Sequence, residues 1–119
     1  MDGPDTSEFG ISLRIDLPGG VRFGPGKATL LEAIGETGSI SAAARRLSMS
    51  YPKASRLVSE INAALAEPAV ATRHGGADKG GAELTESGRK LVGIYNSVHN
   101  RALENFRNER NALLALLSM

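Results

Sequence analysis

A mainly α fold with small β-hairpins and a long C-terminal helix is predicted by three features of the sequence. The stretch GSISAAARRLSMSYPKASRLV, residues 38–58, holds two helical patterns separated by the break Ser48-Met49-Ser50. The glycine-rich run GGADKGG stands between AVATRH and AEL, two short segments of strand character. From Thr85 to about Leu117, apolar residues return at spacings of three and four, as they do along one face of a helix.

Residues 1–8 are polar and contain Pro and Gly, and are expected to be disordered. FGISLRIDL then alternates. Phe9, Ile11, Leu13, Ile15 and Leu17 fall on one face and Ser12, Arg14 and Asp16 on the other, the pattern of a half-buried strand. The turn PGG and the run VRF give it a hairpin partner. GPGKATLLEAIGETG reads as a helix, with Pro25 in the first turn, where no N–H is required, and Gly38 as its stop. Leu30, Leu31 and Ile34 form its stripe with Ala33 beside them, and Gly35 weakens it. Ser41 is expected to cap the short helix AAARRL. Ser50 caps the next, with Pro52 tolerated in its first turn; its stripe is Ala54, Leu57, Val58, Ile61 and Leu65, and Pro68 ends it near Glu67. Thr85 caps the last helix, whose stripe is Leu91, Tyr95, Val98, Ala102 and Phe106. Leu113, Leu116 and Leu117 extend that stripe past the polar patch RNERN.

A length of 119 residues suits one domain with a core of its own. The absence of cysteine excludes disulfides and thiolate metal sites and fits a reducing compartment. No apolar run approaches the roughly 20 residues that span a bilayer. The N-terminus MDGPDTSE lacks the apolar segment of a signal peptide. A cytoplasmic protein with no membrane partner is expected. The net charge of +1 conceals an asymmetry: residues 39–90 carry eight Lys/Arg against five Asp/Glu, whereas residues 1–38 carry three against six. The basic part of the chain is the part with the two short helices.

Helix, three-residue break and helix make a helix-turn-helix. The alanines then have a reason, because the first helix must lie close across the second. Ala43 and Ala44 allow that approach, Ala54 faces them, and Ile40, Leu47 and Met49 anchor the ends. The N-terminal end of the second helix, with Tyr51, Pro52, Lys53, Ser55 and Arg56, is the part that enters a major groove. Ser41 and Ser50, near the starts of the two helices, are counted with that face. Arg45 and Arg46 sit where the first helix crosses a phosphate backbone, with Arg46 equally readable as a surface charge. Tyr51 either contacts DNA or packs at the helix start. Arg56 either reads guanine bidentately or pairs with Glu60 one turn on. A glycine-rich hairpin and a further helix complete a winged helix-turn-helix, with Arg73, His74 and Lys79 on or near the wing.

About 30 helical residues at 1.5 Å each span roughly 45 Å, more than a domain of this size needs. The leucines of NALLALL require cover, and a second copy of the chain is the simplest source. Leu91, Tyr95, Val98, Ala102, Phe106, Leu113, Leu116 and Leu117 are the expected dimer interface. The organisation is then a disordered segment 1–8, a winged helix-turn-helix domain with its N-terminal hairpin over 9–84, and a dimerisation helix over 85–119.

The run FGPGKATLLEAIGETGSISAAARRLSMSY, then LVSEIN, then EPAVATRHGGADKGGAELTESGRKLVGIY resembles the DNA-binding domain of the molybdate-responsive ModE regulators. That family shares its N-terminal module with the LysR-type regulators. The resemblance covers most of the chain, about Phe9 to Tyr95, and implies a dimeric DNA-binding transcriptional regulator. Where the ModE pattern continues with Ala-Trp-Asp, this chain has Ser55 and Arg56 in place of Trp and Asp. SYPKASRLV looks more like the LysR-type recognition helix QPAVSR, which implies a different base preference. ModE proteins carry C-terminal oxyanion-binding domains; this chain ends at Met119 after its last helix, so no molybdate binding by that route is expected.

Double-stranded DNA, read as an inverted repeat by a homodimer, is the expected partner, with an effector or partner protein of unknown identity left open. No cofactor is expected. His74 and His99 have no ligand-spaced partner, and GGADKGG lacks the Gly-Lys-Ser/Thr ending of a phosphate loop. No Ser/His/Asp set or carboxylate pair suggests an enzyme. The alternative is a winged-helix module that binds protein instead of DNA, which the modest net charge permits.

Overall fold

The computed structural model describes residues 10–73 and 81–117. The expectation for residues 1–8 and those for His74 and Lys79 lie outside the described residues. In order come β1 (Ile15–Asp16), β2 (Arg22–Phe23), α1 (Pro25–Thr37), α2 (Ile40–Arg46), α3 (Tyr51–Ala64), β3 (Val70–Thr72), β4 (Ala82–Leu84), α4 (Glu86–Asn105) and α5 (Arg107–Leu117). Strands β1 and β2 pair antiparallel with Ile15 opposite Phe23; β3 and β4 pair antiparallel with Ala71 opposite Glu83. This is a winged helix-turn-helix, with β3 and β4 as the base of the wing.

Helix α1 is the centre of the core. Pro25 occupies its first turn, and Gly38, at φ +75°, closes it by donating its N–H to the Ile34 carbonyl at 2.9 Å. Leu30, Leu31 and Ile34 are fully buried, among Phe23, Ala43, Ala54, Val58, Ile61, Val70, Val92 and Tyr95. Gly35 is more than a weak spot in this helix. A Cβ there would stand 3.1 Å from the Leu84 side chain, so the glycine gives β4 its seat on α1.

The small-residue contact between α2 and α3 is present, with Ala43, Ala44 and Ala54 all buried. The cap of α2 is Ser39, not Ser41: its hydroxyl accepts from Ala42 N at 3.0 Å, and Ser41 lies inside the first turn. Gly38 leaves α1 in the left-handed region, so the next residue is the extended one, and an N-cap must be extended. In the turn, Ser48 takes φ +54° and Met49 N–H donates to the Ala44 carbonyl at 2.8 Å. Ser50 caps α3 as expected, accepting from Lys53 N at 3.3 Å. Helix α3 ends at Ala64, short of Glu67, because Leu65 turns extended and packs against the core.

Two expectations about the chain ends need correcting. The strand pattern of the N-terminal segment is visible as alternating burial from Ile11 to Leu17, yet only Ile15 and Asp16 are ladder residues. Residues before them are held by α4 instead: Tyr95 Oη donates to the Leu13 carbonyl at 2.8 Å, and His99 Nε2 donates to the Ile11 carbonyl at 2.9 Å. The long last helix is divided at Phe106, between α4 and α5, although its φ −80°, ψ −9° stay in the right-handed helical region. Its N–H still reaches Ala102 and its carbonyl still accepts from Arg110 N. The described residues extend over 61 Å, with a radius of gyration of 17.5 Å against the ~13 Å of a compact chain of this length.

Tyr95 is therefore core, 5% exposed, edge-on to Phe23 with ring centroids 5.4 Å apart. Burial pushes its phenol above the ordinary value of 10.0. A raised folded-state value stabilises the protonated form, so this contribution is complete below about pH 10 and is lost as pH rises beyond it. Tyr95→Phe should cost about 1 kcal/mol at neutral pH through the hydrogen bond to Leu13. Thermal melts across pH 7 to 11 should show the wild type losing that advantage at the alkaline end; an unchanged gap would contradict it.

Candidate nucleic-acid interface

Helix α3 divides its residues by side. Ala54, Val58 and Ile61 face the core, and Pro52, Lys53, Arg56 and Ser59 are exposed. Tyr51, at the first position, is 52% exposed. No acidic residue occupies the first turn, so the partial positive charge of the capped N-terminus is not offset there.

Beside α3 runs an open groove of about 690 Å³, between the start of α2 and the base of the wing. Its walls are rich in hydroxyls: Ser39 from the cap of α2 and Ser41 from its first turn, Tyr51, Ser55 and Ser59 from α3, Thr72 from β3. Arg73 closes the wing end. Of the residues expected to meet DNA, the fold thus brings Ser41, Tyr51, Ser55 and Arg73 to one groove. Pro52, Lys53 and Arg56 stand on the exposed side of α3, and Arg45 is exposed near the end of α2. The Ser50 hydroxyl is engaged in its cap.

The cations differ in how free they are. Arg46 pairs with Glu36, which favours the surface-charge reading of that residue. Arg56 Nη1 lies 3.0 Å from Glu60 Oε2. Among the described residues Arg45, Lys53 and Arg73 form no ion pair. No group of three or more His, Cys, Asp or Glu side chains is assembled for a metal among the described residues. No helix of the described residues is long and apolar enough to cross a membrane.

Three anchors fix the base of the wing, one each from α3, the end of α1 and the start of α4. Asn62 Oδ1 accepts from Ala69 N at 2.8 Å and Val70 N at 3.1 Å, while its Nδ2 donates to the Val70 carbonyl at 3.2 Å. The Gly38 carbonyl accepts from Ala82 N at 2.9 Å. Thr85 caps α4 through Gly88 N and donates to the Pro68 carbonyl at 2.6 Å. Sequence reasoning missed Asn62, although a polar residue adjoining the buried Ile61 needs partners for its amide. It also missed Ser59, which follows Ser55 by one helical turn.

On α4 and α5 the apolar residues fall on two sides. Val92 and Tyr95 are buried and Leu91 packs against the core. Tyr95 and Leu91, expected to meet a second chain, thus serve their own core first, because Phe23 and the N-terminal segment cover that side. Ile94, at 59% exposure, with Val98 and Leu103 on α4 and Leu113, Leu116 and Leu117 on α5, remain uncovered. Ala102 and Phe106 are half-buried between them. Ile94 and Leu103 were absent from the expected set.

Residues 27–89 match the family described as bacterial regulatory helix-turn-helix protein, lysR family. The molybdenum-pterin-binding protein MopB of Rhodobacter capsulatus is 47% identical over 79 residues, 66% of this chain and 29% of that protein. The molybdenum transport protein ModE of Azotobacter vinelandii is 33% identical over 78% of this chain and 34% of its own length. The transcriptional regulator ModE of Yersinia pestis is 31% identical over 79% of this chain and 37% of its own length. The chain spans about a third of the length of these curated relatives.

Proposed function

The chain belongs to the lysR family of bacterial regulatory helix-turn-helix proteins, and from that premise we propose that it is a cytoplasmic transcriptional regulator that binds double-stranded DNA as a homodimer. The observation that carries this reading is the exposed N-terminal half of α3 beside a hydroxyl-lined groove. Pro52, Lys53 and Arg56 enter the major groove, and Arg56 reads a base edge. Tyr51, Ser55, Ser41 and Arg73 contact the adjoining backbone, with Arg45 on a neighbouring phosphate. Neutral hydroxyl donors bind phosphate without releasing counterions, so register on the duplex comes from them and salt sensitivity from the cations.

Dimerisation uses the side of α4 and α5 that this chain leaves uncovered, Ile94, Val98 and Leu103, then Leu113, Leu116 and Leu117, with the half-buried Ala102 among them. A two-fold axis there presents two copies of α3 to an inverted repeat, with half-sites about one duplex turn apart. Sedimentation of the intact chain tests this; a monomer at micromolar concentration overturns the dimer.

Binding of promoter duplexes followed by fluorescence anisotropy, with a salt titration, tests DNA recognition. Tight, salt-sensitive binding to a subset of duplexes is expected. A folded dimer that binds none at low salt would instead support the protein-interaction module. Arg56→Ala should reduce the preference for a cognate site by about tenfold. Arg45→Ala should weaken all sequences alike and lower the salt slope by about 0.9. Equal behaviour of the two variants would contradict the division of roles.

A further inference from the structure

Glu60 holds two cations at once. Its Oε2 accepts from Arg56 Nη1 at 3.0 Å, and its Oε1 lies 3.4 Å from Lys27 Nζ. Lys27 is the most enclosed of the three, its side chain 15% exposed, and its ammonium also donates to the Arg22 carbonyl at 2.9 Å. The carboxylate is therefore tethered from outside its own helix, by the start of α1 and the end of the N-terminal hairpin.

That tether changes what the pair can do. An i,i+4 ion pair on an open helix surface is weak and leaves both side chains many conformations. A carboxylate fixed on its far side does not swing with its partner. With Nη1 turned to Glu60, the fork left for a ligand is Nε–H and Nη2–H, two parallel donors that suit guanine O6 and N7. Glu60 also sets a negative charge beside the duplex, which weakens binding wherever no base edge compensates for it.

We propose that Glu60, held by Lys27, is a positioning residue that determines sequence specificity by presenting the Arg56 guanidinium to DNA in one orientation. This rests on the reading of α3 as the base-reading helix. It makes Lys27, distant from the tip of α3 in sequence, part of the recognition apparatus.

The test uses the intact chain, a cognate duplex selected from a random pool, and the same duplex with the contacted guanine replaced. Glu60→Ala should bind both duplexes more tightly, while the preference between them falls from roughly tenfold to about threefold. Lys27→Met should shift the preference in the same direction. Glu60→Gln, which keeps an acceptor for Nη1, should recover part of it. In an Arg56→Ala background, Glu60→Ala should leave the preference where it was, an outcome that a merely structural role for Glu60 does not produce. Wild-type preference in both Glu60→Ala and Lys27→Met overturns the positioning role. Wild-type preference in Arg56→Ala overturns base reading by Arg56 as well, so the two failures are separable.

Discussion

Gly88→Ala should cost at least about 3 kcal/mol and lower the melting temperature by about 12 °C. Gly88 is buried in the first turn of α4, where that helix crosses the strand before the wing. A Cβ at this position would stand 2.3 Å from the Ala69 carbonyl oxygen. That oxygen cannot move aside, because it accepts the Thr85 N–H at 2.9 Å and is part of the junction that seats α4 against β3. The sign is informative, since alanine in place of glycine within a helix ordinarily gains about 1 kcal/mol. Gly93, five residues on and exposed, has no atom within 4 Å of its would-be Cβ, so Gly93→Ala should show that ordinary gain. Thermal melts of the two variants should move in opposite directions, and parallel shifts would contradict the close approach.

Phe23→Ala should cost about 3–5 kcal/mol, comparable with the whole stability of many small domains. Phe23 is fully buried, opposes Ile15 across the hairpin and meets the edge of the Tyr95 ring. Its loss opens a cavity between α1 and α4 and releases the surface on which Tyr95 is oriented toward Leu13. The chain has no tryptophan, so urea unfolding would be followed by far-UV circular dichroism. Phe23→Leu should retain most of the stability, because it keeps the transfer term and loses only shape. A midpoint for Phe23→Ala within a few tenths of a kcal/mol of wild type would show that the hairpin is not part of the cooperative core.

The local features of this fold were legible in the sequence because their causes are local. Pro25, Gly38, Ser50 and Thr85 each act within one helical turn, and each does what its residue type suggests. The cap of α2 was misplaced on Ser41, two residues late, because the start of that helix depends on Gly38 leaving α1 left-handed, which brings Ile40 and Ser41 into the first turn. The groove was legible on its recognition-helix side, through Tyr51 and Ser55, and on its wing side through Arg73 alone. The wing is placed by Asn62 and Gly38, whose partners a periodicity argument does not reach.

The last helix shows the limit most clearly. Period 3.6 reveals that α4 has apolar residues on adjoining sides, but not which side the rest of the chain will cover. Tyr95 fell inside because its hydroxyl finds Leu13 and its ring finds Phe23, contacts 82 and 72 residues away in sequence. Ile94, its immediate neighbour, was left outside by the same choice. Glu60 was visible as a partner of Arg56, whereas its second partner, Lys27, needed the packing of α1 against α3 to appear.

The bonds from Tyr95 and His99 back to the N-terminal segment also have a consequence for synthesis. The acceptors on Leu13 and Ile11 leave the ribosome long before their donors are made. At about 5–20 residues per second, the gap between Leu13 and Tyr95 is on the order of 4–16 s. Throughout that interval β1 can pair with β2 and the helices between them can assemble, but the segment before β1 has no clasp. A nascent chain stalled before Tyr95 would carry a complete recognition helix and an unfastened N-terminal arm, so the arm is the last part of the domain to be secured.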